Sequence, residues 1–244
     1  MAANPMHQFN VYQIGPEVKI SGINLSFTNA SLFMLISALL ILLFLLFGTK
    51  EKKIIPSKIQ LISEMLYNFV SKMINDTAGK KAKPFFPFIF SLFIFVLFCN
   101  MIGMLPYSFT VTSHIIVTLA FAMFIFIGVT ILGFMIHGVR YLKIFVPSGV
   151  PMLLLPIIMV IEIISYLSRP ISLSVRLFAN MMAGHTMLKV FGGFVISLGV
   201  VAGWLPLTFS VALTGLEILV AFLQAYVFAI LTCIYLNDAL NLHH

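Results

Sequence analysis

The sequence predicts an all-α, polytopic integral membrane protein with an interfacial amphipathic helix and a long, tilted C-terminal helical hairpin. Three observations predict it. Of the 244 residues, 61% are apolar and only 9% are charged, against about 25% charged in a soluble domain. Mean hydropathy is +1.12. Residues 31–48, 84–139, 190–216 and 218–237 hold no Asp, Glu, Lys or Arg, and an uncharged apolar stretch of about 20 residues crosses a bilayer as a helix.

The whole chain, 1–244, reads as one membrane domain. Residues 31–48 form the first span, just long enough with their flanks for one crossing. A basic start running directly into an apolar core is missing from the first 30 residues, so this run reads as a retained span and not a signal peptide.

Residues 50–83 carry eight lysines and three acids, Glu51, Glu64 and Asp76. Leu61, Met65, Phe69 and Met73 recur every fourth residue, with Ile62, Leu66 and Val70 beside them. Gln60, Ser63, Glu64, Ser71 and Asn75 fall on the other side of the same helix, and Lys72 lies at the edge of the apolar face. That pattern predicts an amphipathic helix lying in the interface. In a soluble chain a net charge of +7 would suggest nucleic acid; here the basic residues flank a span and act as a topology signal. No nucleic-acid partner is expected.

Residues 84–139 are too long for one crossing, and Gly103-Met-Leu-Pro106-Tyr-Ser bends them into a hairpin of two. Arg140 and Lys143 then return to a basic surface. Three crossings from an outer N-terminus satisfy the positive-inside rule with both basic regions on the cytoplasmic or matrix side.

From 144 to 238 the pattern is less regular. Pro151, Pro156 and Pro170 punctuate it, and Glu162, Arg169, Arg176 and Lys189 interrupt it. Such a load suits helices packed against protein or a water-filled cavity. Two long antiparallel helices are expected, at about 160–197 and 206–238, with the turn near residue 200. Residues 144–160 are open between a separate crossing and the inner end of a long tilted helix. Cys99 and Cys233 lie in apolar runs and read as buried free thiols; no His/Cys spacing suggests a metal, and His243 and His244 read as a solvated tail.

Arg176 is the residue to explain. A guanidinium stays protonated at any physiological pH, and at the centre of a membrane helix it costs roughly 2.5 to 3.5 kcal/mol. From a boundary at Arg169 it lies roughly 10 Å deep, further than a snorkelling side chain comfortably reaches. A hairpin turning near 200 puts Arg176 level with Gln224, Asn180 with Val220, His185 with Glu217 and Glu162 with Asp238. Glu162, Arg169 and Arg176 share one helix face, so Glu162 also reads as a plain ion-pair partner of Arg169. His185 points away from that face, roughly 11 to 14 Å along the axis from Arg176. Two half-paths meeting near Arg176 fit this better than one straight channel. Glu and His can take up and release protons, Arg cannot, and no carboxylate of this chain is level with Arg176. A partner subunit is the simplest source of its counter-charge. A secondary transporter would carry repeated halves and a midplane site of its own; a structural anchor would leave Arg176, Glu217 and Gln224 unexplained.

At these residues the chain resembles subunit a of the F-type ATP synthase, in its mitochondrial or alphaproteobacterial form. The resemblance rests on Phe98-Cys-Asn100-Met-Ile-Gly103-Met-Leu-Pro106 continuing to His114, on Arg176-Leu-Phe-Ala-Asn180-Met-Met-Ala-Gly-His185, on Leu213-Thr-Gly-Leu-Glu217, on Gln224-Ala-Tyr-Val-Phe, and on Tyr235-Leu-Asn-Asp. It implies a proton-conducting stator that is not an enzyme by itself and uses no cofactor; the chain has no G-x-x-x-x-G-K-[ST] phosphate loop. Arg176 would face the carboxylates of a rotor ring of small c subunits. Glu217 and His185 would form the outer half-channel, Asn180 and Gln224 the arginine's polar neighbours, and Glu162 part of the inner half-channel. Some relatives exchange the acid and the imidazole between the 185 and 217 positions. The implied partners are the ring, peripheral-stalk b subunits, the remainder of the F1Fo complex, membrane lipid and protons, in a bacterial or mitochondrial inner membrane.

Overall fold

A computed structural model describes residues 9–14, 19–20, 23–24, 26–50, 55–105, 108–146 and 154–241. The bend expected at Pro106, the break expected at Pro151 and the tail at His243 and His244 lie outside the described residues. A two-residue antiparallel pair, β1 (Lys19–Ile20) with β2 (Ile23–Asn24), precedes six α-helices: α1 (Asn29–Lys50), α2 (Lys58–Ala78), α3 (Phe86–Gly103), α4 (Ile115–His137), α5 (Leu155–Ala202) and α6 (Trp204–Leu240). Short 3-10 helices at Lys80–Phe85, Val111–Ser113 and Gly138–Phe145 join them. Among the described residues, five stretches are long and apolar enough to cross a membrane. The chain is an all-α polytopic membrane protein.

Length governs how these helices stand. The 22 residues of α1 rise about 33 Å, close to the roughly 30 Å hydrocarbon core. The 48 residues of α5 and 37 of α6 would rise about 72 and 55 Å, so neither stands upright in a bilayer. α5 starts at Leu155, earlier than the sequence suggests, because Pro156 falls in its first turn, where a missing N–H costs nothing. The described part of 144–160 therefore holds the end of a 3-10 helix and the start of α5, and no separate crossing. The break between α5 and α6 comes at Gly199, with φ +63. Gly203 N–H then donates to the Gly199 carbonyl at 2.9 Å, and a Cβ at Gly203 would collide with that same oxygen.

The α2 helix forms where the amphipathic pattern predicts it, and its burial adds detail. Val70, Met73 and Ile74 pack into the protein, but so do Gln60 and Ser63, while Leu61, Ile62 and Met65 are exposed. The apolar stripe divides between the protein interior and the exposed surface. Gly48 of α1 allows the close approach that buries Ser63, whose hydroxyl stands where a Cβ would be.

The core is organised on α6. Ala221, Ala225, Ala229 and Cys233, one turn apart, are completely buried. Small residues at this spacing let neighbouring helices come close, and Phe93, Leu173, Leu177 and Phe228 fill the space around them. Cys99 and Cys233 are buried and free. Lys81 reaches Asn241 at 3.0 Å, which sets the C-terminus of α6 at the basic end of the bundle. The start of α1, the Val111–Ser113 turn and the α5–α6 break lie at the other end.

Candidate functional site

Glu217 continues the buried stripe of α6 by one turn beyond Ala221, so its side chain points into the bundle and is 5% exposed. Opposite it, on α5, His185 places Nε2 3.6 Å from Glu217 Oε1, with 12% exposure. The pair is ionic only when the imidazole carries its second proton, and neither Glu217 oxygen has a hydrogen-bond partner among the described residues. Gly184 makes room: a Cβ there would stand 2.7 Å from Glu217 Oε1.

Thr110 fixes the imidazole. Its hydroxyl lies 3.0 Å from His185 Nε2 and donates to the Gly103 carbonyl at 3.2 Å. A hydroxyl has one proton to give, so while it donates to the Gly103 carbonyl its oxygen can accept only from the tautomer of His185 that carries its proton on Nε2. Asn100, fully buried on α3, accepts from the Thr112 hydroxyl at 2.8 Å and donates to the Ala221 carbonyl at 3.3 Å. That bridge ties the turn holding Thr110 to the turn of α6 next to Glu217. Sequence spacing assigns no partner to Asn100 or Gly184, and Gly103, expected as part of the hairpin bend, also accepts from Thr110. Ala221 and Glu217, the partners of Asn100 and Gly184 on α6, lie far away along the chain, and no local pattern announces them.

Asn180 Nδ2 donates to Gln224 Oε1 at 3.0 Å. The expected levels put Gln224 beside Arg176 and Asn180 beside Val220. The hairpin turns a little later than residue 200, at the Gly199–Gly203 break, so Gln224 meets Asn180 instead. Gln224 is buried, and its Nε2 has no partner among the described residues.

Arg176 is exposed on α5, one turn from Asn180, and no side chain among the described residues pairs with it or accepts a hydrogen bond from it. Glu162 is half-buried and likewise unpaired among them. The possible Glu162–Arg169 ion pair does not form. Arg169 Nη1 donates to Asp238 Oδ2 at 2.9 Å, and its guanidinium lies 5.4 and 5.3 Å from the Tyr166 and Tyr235 ring centres. Seven residues along one helix put Glu162 and Arg169 about 10 Å apart, whereas Asp238 comes in from the facing helix. No group of three or more His, Cys, Asp or Glu side chains suited to a metal occurs among the described residues.

The chain matches the family described as ATP synthase A chain over residues 31–237. It is 77% identical to a protein of Pelagibacter ubique over the full length of both. It is 58% identical to one of Parvibaculum lavamentivorans, covering 99% of this chain and 95% of the relative. With one of Rhizobium rhizogenes the identity is 57%, over 99% of this chain and 98% of the relative. All three relatives are named ATP synthase subunit a.

Proposed function

This chain belongs to the ATP synthase A chain family, and from that premise we propose that it is the proton-translocating stator of an F-type ATP synthase, with two half-channels that meet at Arg176. One observation carries the reading most directly. Arg176 is exposed on a membrane helix, with no counter-charge among the described residues. A permanent cation in that position costs roughly 2.5 to 3.5 kcal/mol unless a neighbour compensates it, and a carboxylate on a rotor ring of small c subunits is the compensating group.

The outer half-path runs through His185 and Glu217, about 13 Å along α5 from Arg176. A proton arriving there passes between the imidazole and the carboxyl to a ring carboxylate. The neutral ring site can turn into lipid, where a charged one would be penalised. When a site returns to Arg176, the fixed guanidinium favours its ionised form, and the proton leaves on the inner side past Glu162. Asn180 and Gln224 orient the polar region beside the arginine without titrating. Each transferred charge contributes about 2.3 kcal/mol per 100 mV of membrane potential.

Nucleotide chemistry belongs to other subunits. Peripheral-stalk b subunits hold this chain against rotation, and the complex works in an energy-transducing inner membrane. The deciding experiment is ATP-driven proton uptake into inverted membrane vesicles, parent against Arg176→Ala, with assembly measured on the same membranes. Loss of uptake in an assembled complex is the expected result. Uptake at the parent rate would reduce Arg176 to a structural residue and overturn the reading.

A further inference from the structure

A cleft of about 440 Å³ opens between α2 and the start of α3, at the basic end of the bundle. Its volume falls within the roughly 300–1,000 Å³ of small-ligand sites, and none of its residues belongs to the proton path above. One wall is a polar stripe of α2, where Tyr67, Ser71 and Asn75 recur every fourth residue and stand one above another. Asn75 Nδ2 donates to the Ser71 carbonyl at 2.9 Å, which leaves the amide one further N–H. The Tyr67 and Ser71 hydroxyls have no hydrogen-bond partner among the described residues.

The opposite wall carries Lys83, from the 3-10 turn that leads into α3. Lys81 of the same turn is committed to Asn241 at 3.0 Å, whereas Lys83 has no ion pair or hydrogen bond among the described residues. Four donor groups therefore line one space, and no carboxylate lines it. Asp76 follows Asn75 but turns about 100° away around the helix, and Glu64 accepts from Gln60 at 2.8 Å. Below the donors the surface is aromatic. The Phe86 ring lies 4.6 Å from that of Tyr67, and Phe90, one turn further into the span, stacks on Phe86 at 5.5 Å and 16°.

We propose that this cleft binds the phosphate of an anionic glycerophospholipid, whose acyl chains lie along Phe86 and Phe90. Basic pockets at the ends of membrane helices attract such headgroups, and eight lysines against three acids in residues 50–83 give the surrounding surface the same preference. A free phosphate would use the donors and leave the aromatic track bare; a lipid uses both. Bound there, it fastens the amphipathic α2 to the crossing that follows it. The site stands on the membrane architecture and requires nothing of the proton path.

The test uses the assembled complex in phosphatidylcholine vesicles. Asn68→Cys puts a thiol on the exposed surface of α2 beside the cleft, and a bimane is attached to it. The signal of the labelled complex without that substitution is subtracted. A small fraction of the lipid carries a nitroxide near the top of one acyl chain, on either phosphatidylglycerol or phosphatidylcholine. The phosphatidylglycerol probe should quench the bimane at about fivefold lower mole fraction than the phosphatidylcholine probe, and Lys83→Gln should abolish that preference. Lys83→Arg should keep it. Lys72→Gln, which removes an exposed α2 charge that does not line the cleft, should keep most of it. Equal quenching by the two probes in the parent, as when another subunit covers the cleft, would overturn the site. Equal losses for Lys83→Gln and Lys72→Gln would do the same, since they mark diffuse attraction to a basic surface. Inorganic phosphate that relieves quenching more than chloride at the same ionic strength would reassign the cleft to a free anion. Because quenching reads lipid contact and not pumping, these failures are separate from that of the Arg176→Ala experiment.

Discussion

Asn180 donates to Gln224 at 3.0 Å, one helical turn from Arg176, and is the only hydrogen-bond partner of the Gln224 side chain among the described residues. An amide pair cannot titrate, so it holds α5 and α6 together beside the arginine at every pH. In a membrane such bonds are modest, about 0.6 kcal/mol on average and up to about 1.7. We expect a double-mutant cycle of Asn180→Ala and Gln224→Ala to give a coupling in that range, read from unfolding of the purified complex in detergent. Strict additivity would mean that the contact contributes nothing.

Gly184 gives a sharper separation of stability from function. Alanine favours a helix over glycine by about 1 kcal/mol, yet a Cβ at 184 would press on the end of Glu217, 2.7 Å from Oε1 and 3.0 Å from Cδ. The carboxyl is the flexible end of its side chain, so it moves and the fold survives. Gly184→Ala should assemble at least as well as the parent and lose about tenfold to a hundredfold in proton pumping, the scale of a misplaced reacting group. Parent-like pumping would show that the Glu217 position is not critical.

The spans were legible because lipid demands long uncharged runs, and 31–48 and 84–139 supply them. The facing of His185 and Glu217 across one hairpin was legible from helical spacing alone. The register within it was not. It depends on where the chain turns, and the break spans Gly199 to Gly203, centred just past residue 200. The α2 helix shows a second limit: a periodicity of apolar residues marks a face without saying whether protein or lipid covers it. Asp238 took Arg169 from Glu162 for a third reason. An acid seven residues along the same helix is out of reach, and the acid across the hairpin is not.

The facing positions of His185 and Glu217 predict that their types can be exchanged. Either single change, His185→Glu or Glu217→His, puts two acids or two imidazoles at 3.6 Å. The double change restores one of each. Thr110 can serve both arrangements, since its hydroxyl can turn from the Gly103 carbonyl and donate to a carboxylate at 185. ATP-driven proton uptake in the double variant should exceed that of either single variant. A double variant no better than the worse single one would break the pairing.

At the other end of the hairpin, Arg169 rests on three partners, and their loss should not be equal. Its ion pair with Asp238 is about one-quarter exposed on both sides, so removing the acid costs at most about 1 kcal/mol. Removing the arginine also strips two ring contacts, on Tyr166 and Tyr235, each worth about 0.5–1 kcal/mol. Arg169→Ala should therefore destabilise the detergent-solubilised complex by about 1–2 kcal/mol more than Asp238→Asn. Arg169→Lys should fall between them, because an ammonium keeps the charge but not the planar face that lies over both rings. Equal losses for Arg169→Ala and Asp238→Asn would mean that the ion pair alone fastens this end, and that the tyrosines only fill space beneath it.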